Sequence, residues 1–271
     1  MENNSKNLVT SAANDLGYTF ELCVTSTEGV KVASEIGAHR IELCSALSEG
    51  GLTPSYGMMR VAGEHCAEVD TKLNVLIRPR AGDFIYTSEE LEIMRHDIMM
   101  ARKFNANAVV VGCLTHDGKL DVDAMELMLD AAHGMELTFH RAFDLCADRI
   151  ETMEQLIKLG VTRILTSGGK ANALEGAMNI KELHDKADGR IHILAGAGVK
   201  PSNIVEIARI SGIKEFHFSA RDTYPSMMSY KNPDVFMGLP GSDEYAIQYT
   251  SKEIALETIS ALLNSAPELN K

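Results

Sequence analysis

Short apolar runs alternate along the chain with longer stretches whose apolar positions recur every three or four residues. The runs TFELCV, RIELCS, LNVLIR, AVVVG, ELTFH, TRILTS, IHILAG and EFHFSA read as strands. The stretches between them, such as Ser88 to Phe104, read as helices. Eight strand–helix units in succession predict a parallel sheet with right-handed crossovers. Closed on itself, that sheet is a (β/α)8 TIM-type barrel of the α/β class; the alternative is an open doubly wound sheet. Such a barrel takes about 250 residues. A chain of 271 is therefore filled by one domain over residues 18–271, behind a polar segment, 1–17, that reads as a flexible tail. Ser88 ahead of Glu89 and Glu90 predicts a helix cap, and Pro201-Ser202-Asn203 predicts the start of the helix after the seventh strand. Residues 221–250 are polar, irregular and rich in Met, Pro and Gly, which suggests a loop over one end or an oligomer contact.

One weak repeat sets a register. The first strand reads Glu21-Leu22-Cys23 and the second Glu42-Leu43-Cys44. Side chains alternate along a strand, so each glutamate shares a face with its cysteine while leucine faces the other way. Leucine suits the helix layer. Glutamate and cysteine then point into the barrel, near the carboxyl-terminal mouth.

Ionisable residues cluster where the strands end, which is where barrel active sites are built. The third strand runs into Arg78-Pro79-Arg80 and the fifth ends in His140-Arg141, followed by Asp144. The sixth ends Thr166-Ser167-Gly168-Gly169 and the seventh Ala195-Gly196-Ala197-Gly198. Backbone N–H groups of the turns at Gly168, Gly196 and Gly198 could cradle a phosphate or carboxylate, or the glycines simply make tight turns. Arg78, Arg80 and Arg141 could clamp a planar anion, or else neutralise Glu21 and Glu42 in a buried network. His140 has the chemistry of a general acid or base. His217 has it too, but a histidine inside a strand is more often a satisfied core residue.

Charge and cysteine content narrow the function. Thirty-eight acidic against 26 basic residues give a net charge of -12, which disfavours nucleic acid and anionic membranes as partners. No apolar run is long enough to span a bilayer, and the start lacks the basic-then-apolar order of a signal peptide, so a cytoplasmic location is expected. Five cysteines without CxxC spacing are expected to be free thiols. Cys23 and Cys44 fall on neighbouring strands, about 4.8 Å apart in a sheet. Soft thiolates select Cu(I), so a low-coordinate copper site is possible. Against it, barrel stagger can separate the sulfurs, and free cysteine also packs as a small hydrophobe. The pairs Met58-Met59 and Met99-Met100 sit on helical patterns and read as packing; Met227-Met228 has no clear place.

At these residues the sequence resembles the CutC family of copper-homeostasis proteins. The matching stretches are ELCV, GAHRIELCSALSEGGLTPS, IRPRAGDFIY, LTFHRAFD, GVTRILTSGG and AGAGV, from about residue 20 to about 220. The resemblance implies a (β/α)8 barrel, cytoplasmic residence, a homo-oligomer (a dimer favoured) and a role in copper tolerance or trafficking. It also implies Cu(I) binding, with Cys23 and Cys44 matching the family's cysteines on the first two strands. A second reading is a lyase- or isomerase-type enzyme acting on a small anionic substrate, phosphorylated or not. Glu21 or Glu42 would then exchange protons with His140, while Arg78, Arg80, Arg141, Asp144, Ser167 and the glycine turns hold the anion.

Overall fold

Val, Ile, Leu and Phe take every second position of the strand segments, and in the computed structural model those positions all face one layer of helices. The structure describes residues 2–69, 71–235, 237 and 242–269. The strands are β1 Thr19–Val24, β2 Arg40–Leu43, β3 Lys72–Leu76, β4 Ala108–Val111, β5 Glu136–Phe139, β6 Arg163–Thr166, β7 His192–Ala195 and β8 Glu215–Phe218. All neighbours run parallel, and β1 pairs with both β2 and β8. That double pairing closes the barrel and excludes the open sheet.

Phe20, Leu22 and Val24 of β1, Ile41 and Leu43 of β2, and Phe216 and Phe218 of β8 are buried in the core shared with the helices. Each such side chain contributes about 1.5–3 kcal/mol through burial. The helices supplying the other half of that core are α1 Glu2–Asp15, α2 Thr27–Glu35, α3 Tyr56–Val69, α4 Ser88–Lys103, α5 Val122–Ala132, α6 Arg149–Lys158, α7 Ala177–Ala187, α8 Ile204–Ser211 and α9 Lys252–Leu269. None of them is long and apolar enough to cross a membrane.

Three expectations change. Residues 1–17, read as a tail, carry α1 where they are described. Its Ala13 is fully buried, Val9 and Leu16 pack on the core, and the Asn14 side chain meets His39 Nε2 at 3.0 Å. A small apolar stripe, too short to show as a pattern, gives this segment its seat beside the loop feeding β2. The cap of α4 is Thr87 rather than Ser88: Thr87 Oγ1 accepts from Glu90 N, and the Glu90 carboxylate accepts from Thr87 N. Residues 221–250 contain an antiparallel pair, β9 Arg221–Pro225 with β10 Ala246–Thr250, and Met227 and Met228 beyond it are exposed.

Candidate metal and ligand site

Barrels of this kind usually fill their interior with layers of branched aliphatic side chains. Here the lower interior is ionic. Arg40 Nε donates to Glu21 Oε2 at 2.6 Å and Arg40 Nη2 to Glu215 Oε2 at 2.5 Å. Arg163 Nε donates to the same Glu215 oxygen at 2.7 Å, and Asn74 Nδ2 to Glu21 Oε2 at 2.9 Å. Strand register accounts for the assembly, because Glu21 is level with Arg40 on one side and with His217 on the other. Glu21 therefore does what the sequence left open, joining a buried network, but its partner is Arg40 and not one of the mouth arginines.

Burial alone would raise the Glu21 pKa; Arg40 and His217 outweigh it and hold the carboxyl at about 2. A carboxyl depressed from its ordinary 4.5 stabilises the fold above that value and loses the contribution as pH falls toward 2. Acid unfolding followed by circular dichroism is accordingly expected to set in within this window, and to shift to higher pH in Glu21→Gln.

One layer higher, β1 and β2 meet at Cys23 and Glu42, which are register partners. Cys23 Sγ lies 3.6 Å from Cys44 Sγ and 3.4 Å from Glu42 Oε2. Stagger does not separate the sulfurs, because Cys44, one step past β2, leans back over the Cys23–Glu42 pair. His217 bridges the two layers, with Nδ1 2.7 Å from Glu21 Oε1 and Nε2 3.8 Å from Glu42 Oε2. The sequence reading placed His217 in the core and gave the acid–base role to His140; the structure puts His217, not His140, beside both glutamates. Cys23, Glu42 and His217 each offer a ligand atom, all within 4.8 Å of one another. Leu76, Val110 and Leu47 pack around the two cysteines.

Protonation follows from this crowding. The hydrogen bond with Cys44, then burial, then the charge of Glu42 push the Cys23 thiol well above its ordinary range. Burial raises the Glu42 pKa, with Glu21 adding to it and His217 opposing. At His217 burial disfavours the imidazolium, but Glu42 and Glu21 outweigh it and raise its pKa. The metal-free site is thus a thiol beside a carboxyl and a readily protonated imidazole.

The mouth above holds a cavity of about 340 Å³ lined by Cys23, Glu42, His217, Arg78, His140 and Arg141, among others. Arg80 turns away from it, donating from Nε to Glu90 at 2.5 Å and pairing with Asp83, which fixes the loop before α4. Arg141 Nε donates to Asp144 Oδ2 at 2.8 Å. The turn at Gly168 does form an anion cradle, but Asp144 itself occupies it. Asp144 accepts from the backbone N–H groups of Ser167 and Gly169 and from the hydroxyls of Thr166 and Ser167. Gly168 N donates to Thr166 Oγ1, and Gly196 N is taken by the Thr166 carbonyl. Gly198 at φ 71° makes a turn whose carbonyl accepts from Asn203. The N–H groups of Gly168, Gly169 and Gly196 are thus committed to internal contacts, and a charged residue three positions beyond Arg141 fills the place expected for a bound anion at the Gly168 turn.

His140 is buried under the Phe84 ring, 4.8 Å between centroids. Its Nδ1 accepts from Ala142 N at 3.1 Å. Burial and the nearby Arg78 charge lower its pKa to about 3, so the ring is neutral with its proton on Nε2. The close approach of β4's end makes room for it. A Cβ at Gly112 would lie 2.5 Å from His140 Nδ1 and Cε1. Gly112→Ala is expected to cost about 1–3 kcal/mol in urea unfolding by forcing the ring aside.

With this geometry in place, comparison with known proteins decides the relationship. The CutC family model matches residues 18–222. This chain belongs to the CutC family. A family protein CutC from Bacteroides fragilis is 47% identical over 249 residues, covering 92% of this chain and 98% of that one. Its counterpart in Porphyromonas gingivalis is 45% identical over 248 residues, covering 91% and 99%. The crystal structure of CutC from Streptococcus agalactiae, which carries a copper-homeostasis name, superposes with a TM-score of 0.71 at 36% identity, over 74% of this chain and 97% of that one. Phosphoribosylanthranilate isomerase from Thermotoga maritima, at 12% identity and a TM-score of 0.55, shares the barrel alone.

Proposed function

We propose that this CutC-family chain is a cytoplasmic copper-homeostasis protein that holds Cu(I) between Cys23 and Cys44 and buffers or passes it on without chemical turnover. The observation carrying this is the 3.6 Å separation of the two buried sulfurs. It is too long for a disulfide, whose S–S bond is about 2.05 Å. It is short enough for one ion to bridge, since two metal–sulfur bonds of about 2.3 Å reach further than that. Two soft, buried donors favour Cu(I) over harder cations. Two thiolates on one Cu(I) leave a net negative charge, and His217, disposed toward its protonated form, stands beside Glu42 to offset it. The free state of all five cysteines suits a reducing compartment. The copper-homeostasis name of the Streptococcus agalactiae relative supports the same assignment.

An anaerobic titration of the reduced protein against a chromophoric Cu(I) chelator tests it. The expected result is one Cu(I) per chain withdrawn from the chelator, with Zn²⁺ unable to displace it. Failure to compete with the chelator, or ready displacement by Zn²⁺, would remove the proposal.

A further inference from the structure

Of the three arginines near the mouth, two are answered by acids. Arg80 pairs with Asp83 and Glu90, and Arg141 pairs with Asp144. Among the described residues no carboxylate lies within ion-pair distance of Arg78, although its side chain is buried. Its guanidinium is held by carbonyls instead: Nη1 donates to Glu49 O at 2.7 Å and Gly51 O at 3.1 Å, and Nη2 to Gly82 O at 2.8 Å. Glu49 gives its backbone and not its carboxylate. Carbonyls and the Phe84 ring, 4.9 Å from Cζ, solvate the cation without cancelling its charge. A buried charge left in that state is costly unless a counter-ion completes it.

Hydrogen-bond capacity points the same way. A guanidinium has five N–H donors; three are engaged, which leaves two, and one of these is the Nε–H, buried with no partner among the described residues. His140 Nε2, the protonated nitrogen of a neutral ring, is also buried without a partner. Both residues line the same cavity, and the Phe84 ring packs against both. Beside them the wall is apolar, with Leu47, Leu76 and Leu165.

We infer that the mouth cavity is a binding site for a small organic anion, whose carboxylate or phosphate group is gripped by the Arg78 guanidinium and the His140 Nε2–H. The apolar wall takes the body of the ligand. Arg78 supplies the charge and a planar edge suited to two acceptor oxygens, and His140 supplies a neutral donor that adds no second cation. Cys23, Glu42 and His217 line the same cavity, but the two gripping donors belong to Arg78 and His140 and not to the cysteine pair, so the site does not depend on copper.

The test uses the reduced, metal-free protein labelled with ¹⁵N in arginine and histidine. Inorganic phosphate, propionate and uncharged propionamide are titrated separately while the Arg78 Nε–H and His140 Nε2–H resonances are followed. The expected result is that both resonances move together and saturate with one dissociation constant for phosphate or for propionate, while propionamide leaves them in place. Saturation by one anion alone assigns the group that the site takes. Arg78→Lys, which keeps the charge and loses the planar fork, is expected to bind about tenfold more weakly or worse. Static resonances with both anions, or equal shifts with propionamide, would overturn the inference. Should Arg78→Lys fail to fold, the wild-type resonances still decide it. Loss of copper binding in a cysteine variant would leave this titration unchanged, so the two readings fail separately.

Discussion

Cys23→Ser combined with Cys44→Ser is expected to weaken Cu(I) binding by about three orders of magnitude or more. Metal binding to a four-ligand structural site yields about 10–16 kcal/mol, or roughly 2.5–4 per ligand. Removing two thiolates therefore removes at least about 5 kcal/mol, which is more than a thousandfold in affinity. The fold is expected to survive, because each serine is nearly isosteric with the cysteine it replaces. A melting temperature within a few degrees of the wild type, beside a chelator titration that shows no retained copper, is the outcome predicted. In the wild type the same affinity rises with pH. Cys23 holds its proton well above the ordinary thiol range, and binding must expel it. Below that pKa each unit of pH is worth about a factor of ten per proton released. A pH-independent affinity would mean that the copper sits elsewhere.

Arg40→Met is expected to destabilise the barrel by about 3–5 kcal/mol, the usual consequence of breaking a buried ion pair by removing one partner. Arg40 joins Glu21 at 2.6 Å and Glu215 at 2.5 Å, and none of the three is appreciably exposed. Without it Glu215 keeps Arg163, whereas among the described residues Glu21 keeps Asn74 and His217 alone. Its pKa must then rise, so stability is lost at higher pH than in the wild type. Adding Glu21→Gln removes the stranded charge and is expected to restore part of the loss, since replacing both members of such a pair is far milder than replacing one. Urea unfolding of the single and double variants measures this directly. If Arg40→Met proved neutral, the ionic layer would not be supporting the barrel.

The barrel itself was legible in the sequence because β and α periodicities alternate cleanly and the length leaves no remainder. The inward register of Glu21, Cys23, Glu42 and Cys44 was legible too, from one Glu-Leu-Cys repeat. Arg40 was within reach of the same reasoning: two positions before Glu42, it shares that face. His217 stands likewise two positions after Glu215. Their roles went unread because alternation gives the face of a side chain but not its height, and only closure of β8 onto β1 brings His217 level with Glu21. The sulfur contact depends on that stagger as well. The cradle at Gly168 was recognised as a place for an anion, yet that Asp144 fills it required the short helix Arg141–Leu145 to turn the carboxylate inward. In Arg78 and Arg80, adjacent in sequence across one proline, the chain looked symmetric; the fold gives one an acid and leaves the other with carbonyls.

The most direct test of the copper assignment is X-ray absorption at the copper K-edge of the reduced, Cu(I)-loaded protein. Two sulfur neighbours per copper, lost in the double serine variant, is the result predicted from Cys23 and Cys44. A shell of nitrogen and oxygen alone would contradict it.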